Sequence, residues 1–288
     1  MEYQNIILEK DKMDGRIAKL TLNQPEKLNP LSETMLNEIF DAVDEVEQDE
    51  EVVVLIIKGA GRSFSSGYEL GSPAASSRGE SAVPRIGQSR RNLVRTVERY
   101  LRLWNFRKPT IAQVHGYCLS GATELIAMCD IVIAAEDAQF GHIAGRDLGP
   151  LRTNGLYPFL VGIRRTKELL FTGDFIDGKT AEEWGLINYA VPADELEEEA
   201  YDMARRIVRI PMEILSYHKA TTNEFWEIIG VHAYLMNSAN YCASAMAEVG
   251  GASLQKGGEM GMKEYFKARD LPWREHKRVT LPKQRSEK

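Results

Sequence analysis

Glu124 is the side chain in this sequence with the clearest chemical potential, because it lies near the start of a predicted helix that follows a buried strand. Gly121 opens this helix, and the first N–H groups of a helix have no partner within it. Such groups can stabilise negative charge that develops on a carbonyl oxygen. Glu124 comes about one helical turn after Gly121, so a carboxylate and oxyanion donors lie together. The same local pattern also fits an ordinary helix in which Glu124 is exposed or ion-paired.

A longer set of matching positions surrounds Glu124. In residues 108–141 these positions are Lys108, Pro109, Ala112, Val114, Gly116, Gly121, Glu124, Leu125, Cys129, Asp130, Ile131, Ala134, Ala138, Phe140 and Gly141. The set resembles the signature segment of the crotonase superfamily, the enoyl-CoA hydratase/isomerase family. Three further segments resemble that family in the same order: NQPEKLN at 23–29, GRSFSSGYEL at 61–70, and LFTG with AEEWGLI within 170–187.

This resemblance implies roles for specific residues. Members of the family act on acyl-CoA thioesters through an enolate-like intermediate, whose oxygen accepts two backbone N–H groups. In this sequence the resemblance assigns those donors to Tyr68 and Gly121, with Glu124 as the acid/base. It also implies that two segments cradle the coenzyme A part of the substrate, and their residues are Lys27, Leu28 and Asn29 in one and Ser65, Ser66 and Gly67 in the other.

The sequence departs from the family where hydratases carry a second catalytic glutamate. Counting from Phe140 and Gly141, that position falls at Ala144, or at Gly145 if one residue is inserted. Neither side chain can transfer a proton. The sequence therefore indicates the family but leaves the exact reaction open.

Four nearby residues are candidates to complete the site. Asp147 is the nearest carboxylate and is predicted as a catalytic group, or else as a solvated or arginine-paired aspartate. Arg146 and Arg152 are predicted to contact an anionic part of the substrate, because a guanidinium binds a carboxylate through two N–H groups. His142 is predicted to contact the substrate as a titrating group. For Arg146, Arg152 and His142, a structural role is the alternative.

The residues and the resemblance together favour an enoyl-CoA hydratase/isomerase-type lyase. One alternative keeps the fold and changes the chemistry to a β-carboxyacyl-CoA decarboxylase or C–C hydrolase. A second alternative is a non-catalytic acyl-CoA-binding protein.

Composition narrows the partners. The 288 residues are 43% hydrophobic and 27% charged, with a net charge of −6, which disfavours nucleic acid as a partner. The three cysteines follow no disulfide pattern and predict reduced thiols in the cytoplasm. An apolar run of the roughly 20 residues that a membrane span needs is absent. The histidine spacing predicts no metal site, and no cofactor is expected beyond the coenzyme A of the substrate.

Short β-branched segments alternate with helical patterns, which predicts an α/β fold. Strands are predicted at 5–9, 16–22 and 52–57. A helix is predicted after Ser32 as N-cap, because Met35, Leu36, Ile39, Val43 and Val46 recur at helical spacing. A loop is predicted at 71–87, followed by a helix at 88–104. The resemblance implies a right-handed ββα spiral for residues 1–192. It also implies a C-terminal helical region, 193–288, that builds a homotrimer or hexamer and closes over the ligand; helices are predicted at 194–209, 211–229, 231–248 and 258–269.

Overall fold

The computed structural model describes residues 3–70, 86–153 and 156–275. Most of the loop predicted at 71–87 lies outside these residues. In the described part, the strands are β1 Ile6–Lys10, β2 Ile17–Leu22, β3 Val54–Gly59, β4 Thr110–Val114, β5 Tyr117–Leu119, β6 Ile131–Ala135, β7 Gln139–Gly141, β8 Phe175–Asp177 and β9 Tyr189–Val191.

These strands form two sheets. The larger has the order β1-β2-β3-β4-β6-β9, and all its neighbours are parallel except the antiparallel pair β1 and β2. The smaller has the order β5-β7-β8, with β5 and β7 parallel and β7 and β8 antiparallel. Because β4 and β5 are consecutive but lie in different sheets, the chain turns sharply between them, at Gly116, which has a left-handed φ of 56°.

Helices cover the sheets and form the C-terminal part. Their bounds are α1 Glu33–Gln48, α2 Ile86–Trp104, α3 Gly121–Ile126, α4 Tyr157–Leu160, α5 Ile163–Thr172, α6 Gly178–Trp184, α7 Leu196–Ile207, α8 Met212–Ile228, α9 Val231–Ala245, α10 Gly251–Met260, α11 Met262–Arg269 and α12 Leu271–Glu275. Short 3-10 turns occur at Pro25–Lys27 and Ile143–Arg146.

The first helix shows why the sequence pattern was informative. Its buried residues recur at helical spacing and include all five predicted ones, Met35, Leu36, Ile39, Val43 and Val46. The side chain of Ser32 accepts the N–H of Met35, as an N-cap should, a contact worth about 1 kcal/mol. The predicted strands and this helix are confirmed to within two residues.

The C-terminal helices pack on the core. Helix α9 runs along α2, and Lys219 of α8 reaches Asp130 at the start of β6, with 2.8 Å between Nζ and Oδ2. Helix α9 does not end in a loop: a π turn at Met246–Gly250 carries the chain directly into α10. The break expected between 248 and 258 was wrong. The domain boundary near residue 192 stays a prediction.

Among the described residues, no helix is long and apolar enough to cross a membrane.

Candidate active site

Two glycine-containing turns bring the predicted oxyanion donors together. Gly67 has a left-handed φ of 88°, and a Cβ placed on it would lie 2.4 Å from the carbonyl oxygen of Leu119 and 3.1 Å from the amide nitrogen of Gly121. Only glycine allows this approach without a shift. The turn that carries Tyr68 therefore lies against the first residue of α3.

Neither the Tyr68 nor the Gly121 amide donates a hydrogen bond to another group in the described part of the chain. Gly121 is the first residue of α3, where the N–H has no helical acceptor. The amide of Tyr68 is held in place by contacts of its two neighbours. Leu31 N–H donates to Gly67 O at 2.8 Å, and Glu69 N–H donates to Leu31 O at 3.2 Å. The geometry thus leaves two neighbouring amides available to a carbonyl oxygen.

Glu124 is fully buried at the bottom of this site and is ion-paired. Its Oε2 accepts a hydrogen bond from Nη2 of Arg152 at 2.5 Å and from the hydroxyl of Tyr68 at 2.5 Å. Its Oε1 accepts the backbone N–H of Arg152. The ion-paired alternative described for Glu124 is therefore the observed arrangement. The carboxylate therefore has three donors, one of which is a cation.

Tyr68 joins this carboxylate to the rest of the site. Its hydroxyl lies 2.7 Å from the hydroxyl of Tyr100, a residue of α2, and the guanidinium of Arg152 lies 4.6 Å from the centre of its ring. Its ring covers Gly121, since a Cβ on Gly121 would lie 2.6 Å from a ring carbon. Burial raises the pKa of Tyr68 well above its usual value, while the charge of Arg152 opposes that rise.

A cavity of about 530 Å³ opens above these residues. Its wall is mainly apolar, and the polar side chains within it include Tyr68, Glu124, His142 and Arg152. The C-terminal helices α10 and α11 supply Leu254, Met262, Phe266 and Arg269 to the wall. A mostly apolar cleft with a few convergent polar groups is the usual form of a small-molecule site.

His142 lies in this wall and is almost completely buried. Its Nε2 is 2.8 Å from the carbonyl oxygen of Gly149, so Nε2 carries the proton, and its Nδ1 has no partner among the described residues. Burial lowers the pKa of His142, although the bond to Gly149 and the charge of Glu124 act in the opposite direction. The histidine is therefore held neutral.

Arg146 and Asp147 pair with groups other than Glu124. Asp147 accepts the hydroxyl of Tyr265 at 2.5 Å and pairs with Arg269 at 2.6 Å. Arg146 pairs with Asp270 at 3.1 Å, and its guanidinium lies 4.4 Å from the centre of the Trp273 ring. Both residues therefore bind the 3-10 turn at Ile143–Arg146 to the C-terminal helices. The catalytic role of Asp147 and the substrate-binding role of Arg146 stay predictions.

The predicted coenzyme A segments lie side by side at the mouth of the cavity. Lys27 and Ser66 line it, and Ser66 N–H donates to Leu28 O at 2.8 Å. Asn29 is completely buried, and its Nδ2 lies 2.9–3.1 Å from the carbonyl oxygens of Ala60, Ser63 and Phe64. Ser65 accepts the N–H of Gly67 at 3.1 Å. Asn29 and Ser65 thus hold the two segments in place.

Sequence reasoning missed three parts of the site. Tyr100 carried no signal, because its position in α2 reads as an ordinary apolar site. The pairing of Arg152 with Glu124 was not predicted, since Arg152 was expected to face the substrate. The contribution of Phe266 and Arg269 was covered only by the general expectation of a helical lid.

A family model described as "Enoyl-CoA hydratase/isomerase" matches residues 12–276. A curated relative, the crotonyl-CoA hydratase of Syntrophomonas wolfei, is 36% identical over 231 residues, covering 78% of this chain and 83% of the relative. The mitochondrial Delta(3,5)-Delta(2,4)-dienoyl-CoA isomerase of Dictyostelium discoideum is 31% identical over 236 residues, covering 77% of this chain and 78% of the relative.

Solved structures share the fold. The crystal structure of an enoyl-CoA hydratase/isomerase from Xanthobacter autotrophicus superposes with a TM-score of 0.85 at 31% identity, and covers 94% of this chain and 99% of that chain. The predicted α/β spiral with a helical C-terminal region is confirmed by this likeness. The relatives include both hydratases and an isomerase, so the exact reaction depends on the site itself.

Proposed function

The chain belongs to the enoyl-CoA hydratase/isomerase family, and we propose that it moves protons on an enoyl-CoA thioester through a thioester enolate, with double-bond migration favoured over addition of water. The observation that carries this proposal is the site around Glu124. It combines two amides without a partner among the described residues, one buried carboxylate and a mostly apolar cavity.

The amides of Tyr68 and Gly121 would stabilise the enolate. Removing a proton next to a thioester places negative charge on its carbonyl oxygen, and fixed N–H donors stabilise that charge without reorganising. The loss of one such donor costs about 2.7–4 kcal/mol in other oxyanion holes. Because these donors belong to the backbone, substitution of the Tyr68 side chain would leave them in place.

A single acid/base system suits proton transfer better than hydration. Hydration needs one group to activate water and another to protonate carbon, whereas double-bond migration can use one group twice. Ala144 lies in the cavity wall where a second glutamate was sought, and it has no proton to transfer. The nearest further carboxylate in sequence, Asp147, already faces Arg269 and Tyr265. These features support one acid/base system centred on Glu124.

The charges support a neutral acyl chain. Arg152 and Arg146, the two arginines that would favour a carboxylated substrate, each already contact a carboxylate of the protein. An added substrate carboxylate would bring a further negative charge beside Glu124. The β-carboxyacyl-CoA decarboxylase and C–C hydrolase alternatives therefore receive less support than an unsaturated acyl-CoA.

We extend the proposal to assembly and compartment. Apolar side chains are exposed on α5 and α8, among them Phe171, Phe225 and Ile228, which supports packing against further copies as a homotrimer or hexamer. The three cysteines are free thiols, in keeping with a cytoplasmic protein. Enolate formation by amides and a carboxylate requires no cofactor beyond the coenzyme A of the substrate.

The test is a comparison of CoA thioesters in D₂O, followed by mass spectrometry. We expect α-proton exchange and migration of the double bond in 3-enoyl-CoA. Hydration of crotonyl-CoA should be about 100-fold less efficient than isomerisation of the 3-enoyl-CoA, since one acid/base group usually contributes about that factor. Glu124→Gln is the control, and it should bind the thioester but lose turnover by about 100-fold.

Two results would contradict the proposal. Crotonyl-CoA hydration at the rate of isomerisation would show that a second glutamate is not needed. Binding of thioesters with no exchange, migration or hydration would favour the non-catalytic binding protein.

A further inference from the structure

Both oxygens of the Glu124 carboxylate already accept hydrogen bonds from the protein. Oε1 accepts the backbone N–H of Arg152, and Oε2 accepts both the Arg152 guanidinium and the Tyr68 hydroxyl. A backbone amide does not exchange its proton in such a step, and a guanidinium stays protonated in proteins. Among the three donors, only the phenol of Tyr68 can pass a proton to Glu124 or take one from it.

The exposure of these groups points the same way. The Glu124 side chain exposes 1% of its surface. Tyr68 is only partly buried and lines the cavity, and its ring covers Gly121, whose amide is one of the two oxyanion donors. A thioester bound to these amides would therefore meet the Tyr68 side chain before the Glu124 carboxylate.

Resting on the function proposed above, we propose that the Tyr68 phenol is the group that exchanges a proton with the substrate carbon, and that Glu124 acts behind it as the terminal acceptor. In the forward step the C–H bond breaks and its electron pair forms the enolate, with the charge on the thioester oxygen. The leaving proton bonds to Oη of Tyr68 while the phenolic proton passes to Oε2 of Glu124. The reverse movement returns a proton to the other end of the conjugated system, so no proton or electron is gained or lost.

The surrounding contacts suit this relay. The 2.5 Å separation between Oη of Tyr68 and Oε2 of Glu124 is short enough for direct transfer. The hydroxyl of Tyr100, 2.7 Å away, fixes the phenol in position. Arg152 lies over the Tyr68 ring, so its charge stabilises any phenolate character that develops as the two protons move.

The experiment compares three single variants. Tyr68→Phe removes the hydroxyl but keeps the ring and the backbone amide. Tyr157→Phe is the matched control, because it removes another buried phenol, whose hydrogen bond is to Thr123. Glu124→Gln removes the terminal acceptor. The measurements are α-proton exchange of butyryl-CoA in D₂O and the dissociation constant of the same thioester.

We expect Tyr68→Phe and Glu124→Gln to lose exchange by about 100-fold or more, the scale of a lost acid/base group, with the dissociation constant within about three-fold of the native value. Tyr157→Phe should keep both. A merely structural role for Tyr68 would weaken binding along with exchange. Native exchange in Tyr68→Phe would overturn the relay and leave the proposed function intact, whereas no exchange by the native chain would overturn both.

A measurement on the native chain keeps the inference testable if Tyr68→Phe does not fold. The relay moves two protons in one step, so α-deuterated butyryl-CoA and D₂O should slow the same step. A substrate isotope effect without a solvent isotope effect would mean that Tyr68 transfers no proton.

Discussion

Breaking the Glu124–Arg152 pair should lower the free energy of unfolding by a large amount, because both side chains are more than 90% buried. The change is Arg152→Met, which removes the guanidinium and keeps an unbranched apolar stem. Glu124 would then lose its only cationic partner among the described residues. It would keep the Tyr68 hydroxyl and the backbone N–H of residue 152.

The expected loss follows from what remains. Breaking a buried ion pair from one side costs about 3–5 kcal/mol, because the other charge stays buried without compensation. The two retained hydrogen bonds to the carboxylate keep the loss toward the lower part of that range, since each is worth about 1.5–3 kcal/mol. A loss of about 3–4 kcal/mol corresponds to a fall in Tm of about 6–16 °C at the roughly 2–4 °C per kcal/mol typical of large domains.

The assay is urea unfolding at fixed protein concentration for the native chain, Arg152→Met, Glu124→Gln and the double variant. The double variant should be more stable than the sum of the single losses predicts, because neither unpaired charge is left. Arg205→Met is the control, since Arg205 pairs with Asp202 at 3.2 Å with both side chains exposed, and such a pair is worth about 1 kcal/mol or less. Equal losses from Arg152→Met and Arg205→Met, or strictly additive losses in the cycle, would refute the reasoning.

Three further predictions concern other parts of the molecule. Because the Asp147 carboxylate pairs with Arg269 and Tyr265, Asp147→Asn should lower Tm while α-proton exchange stays within about five-fold of native; a 100-fold loss at unchanged Tm would instead identify a catalytic group. Burial lowers the pKa of His142, so below about pH 6.5 the unfolded chain binds a proton that the folded chain does not. Stability should therefore fall as pH drops below that value, by up to about 1.4 kcal/mol per pH unit; His142→Gln should reduce this slope and the exposed His218→Gln should not, and equal slopes in both variants would contradict it. Finally, light scattering should return a mass of three or six chains, and a mass near 32.5 kDa at working concentration would contradict the assembly.

Local sequence signals predicted most of the fold. The spacing of Met35, Ile39 and Val43 follows the helix period, and Ser32 is an N-cap by residue type, so both could be read without knowing the rest of the chain. The spiral arrangement could not be read in this way, because strand order depends on contacts between distant segments. Here the resemblance supplied what the local pattern did not contain.

The residues of the site likewise divide into those with a local sequence signal and those without one. Gly121 and Glu124 could be singled out locally because a glycine-led helix start has a local signature, whereas Gly67 and Tyr68 came from the resemblance. The partners of Glu124 were not predicted, because Tyr68 and Arg152 lie 56 and 28 residues away along the chain. Nothing in either neighbourhood indicates that the two side chains meet the same carboxylate.

The residues at positions 68, 144 and 152 fit together physically in one site. A site with two carboxylates can hold a water between them, but a buried arginine beside one carboxylate would compete for both. Ala144 leaves Arg152 with a single carboxylate in reach, so the pair is neutral and can remain buried under an apolar cavity. The Arg152 guanidinium and the Tyr68 hydroxyl both bond Oε2 of that carboxylate, and its side chain exposes only 1% of its surface. The phenol at position 68 connects Glu124 to the cavity, so the tyrosine, the arginine and the alanine have a common physical explanation.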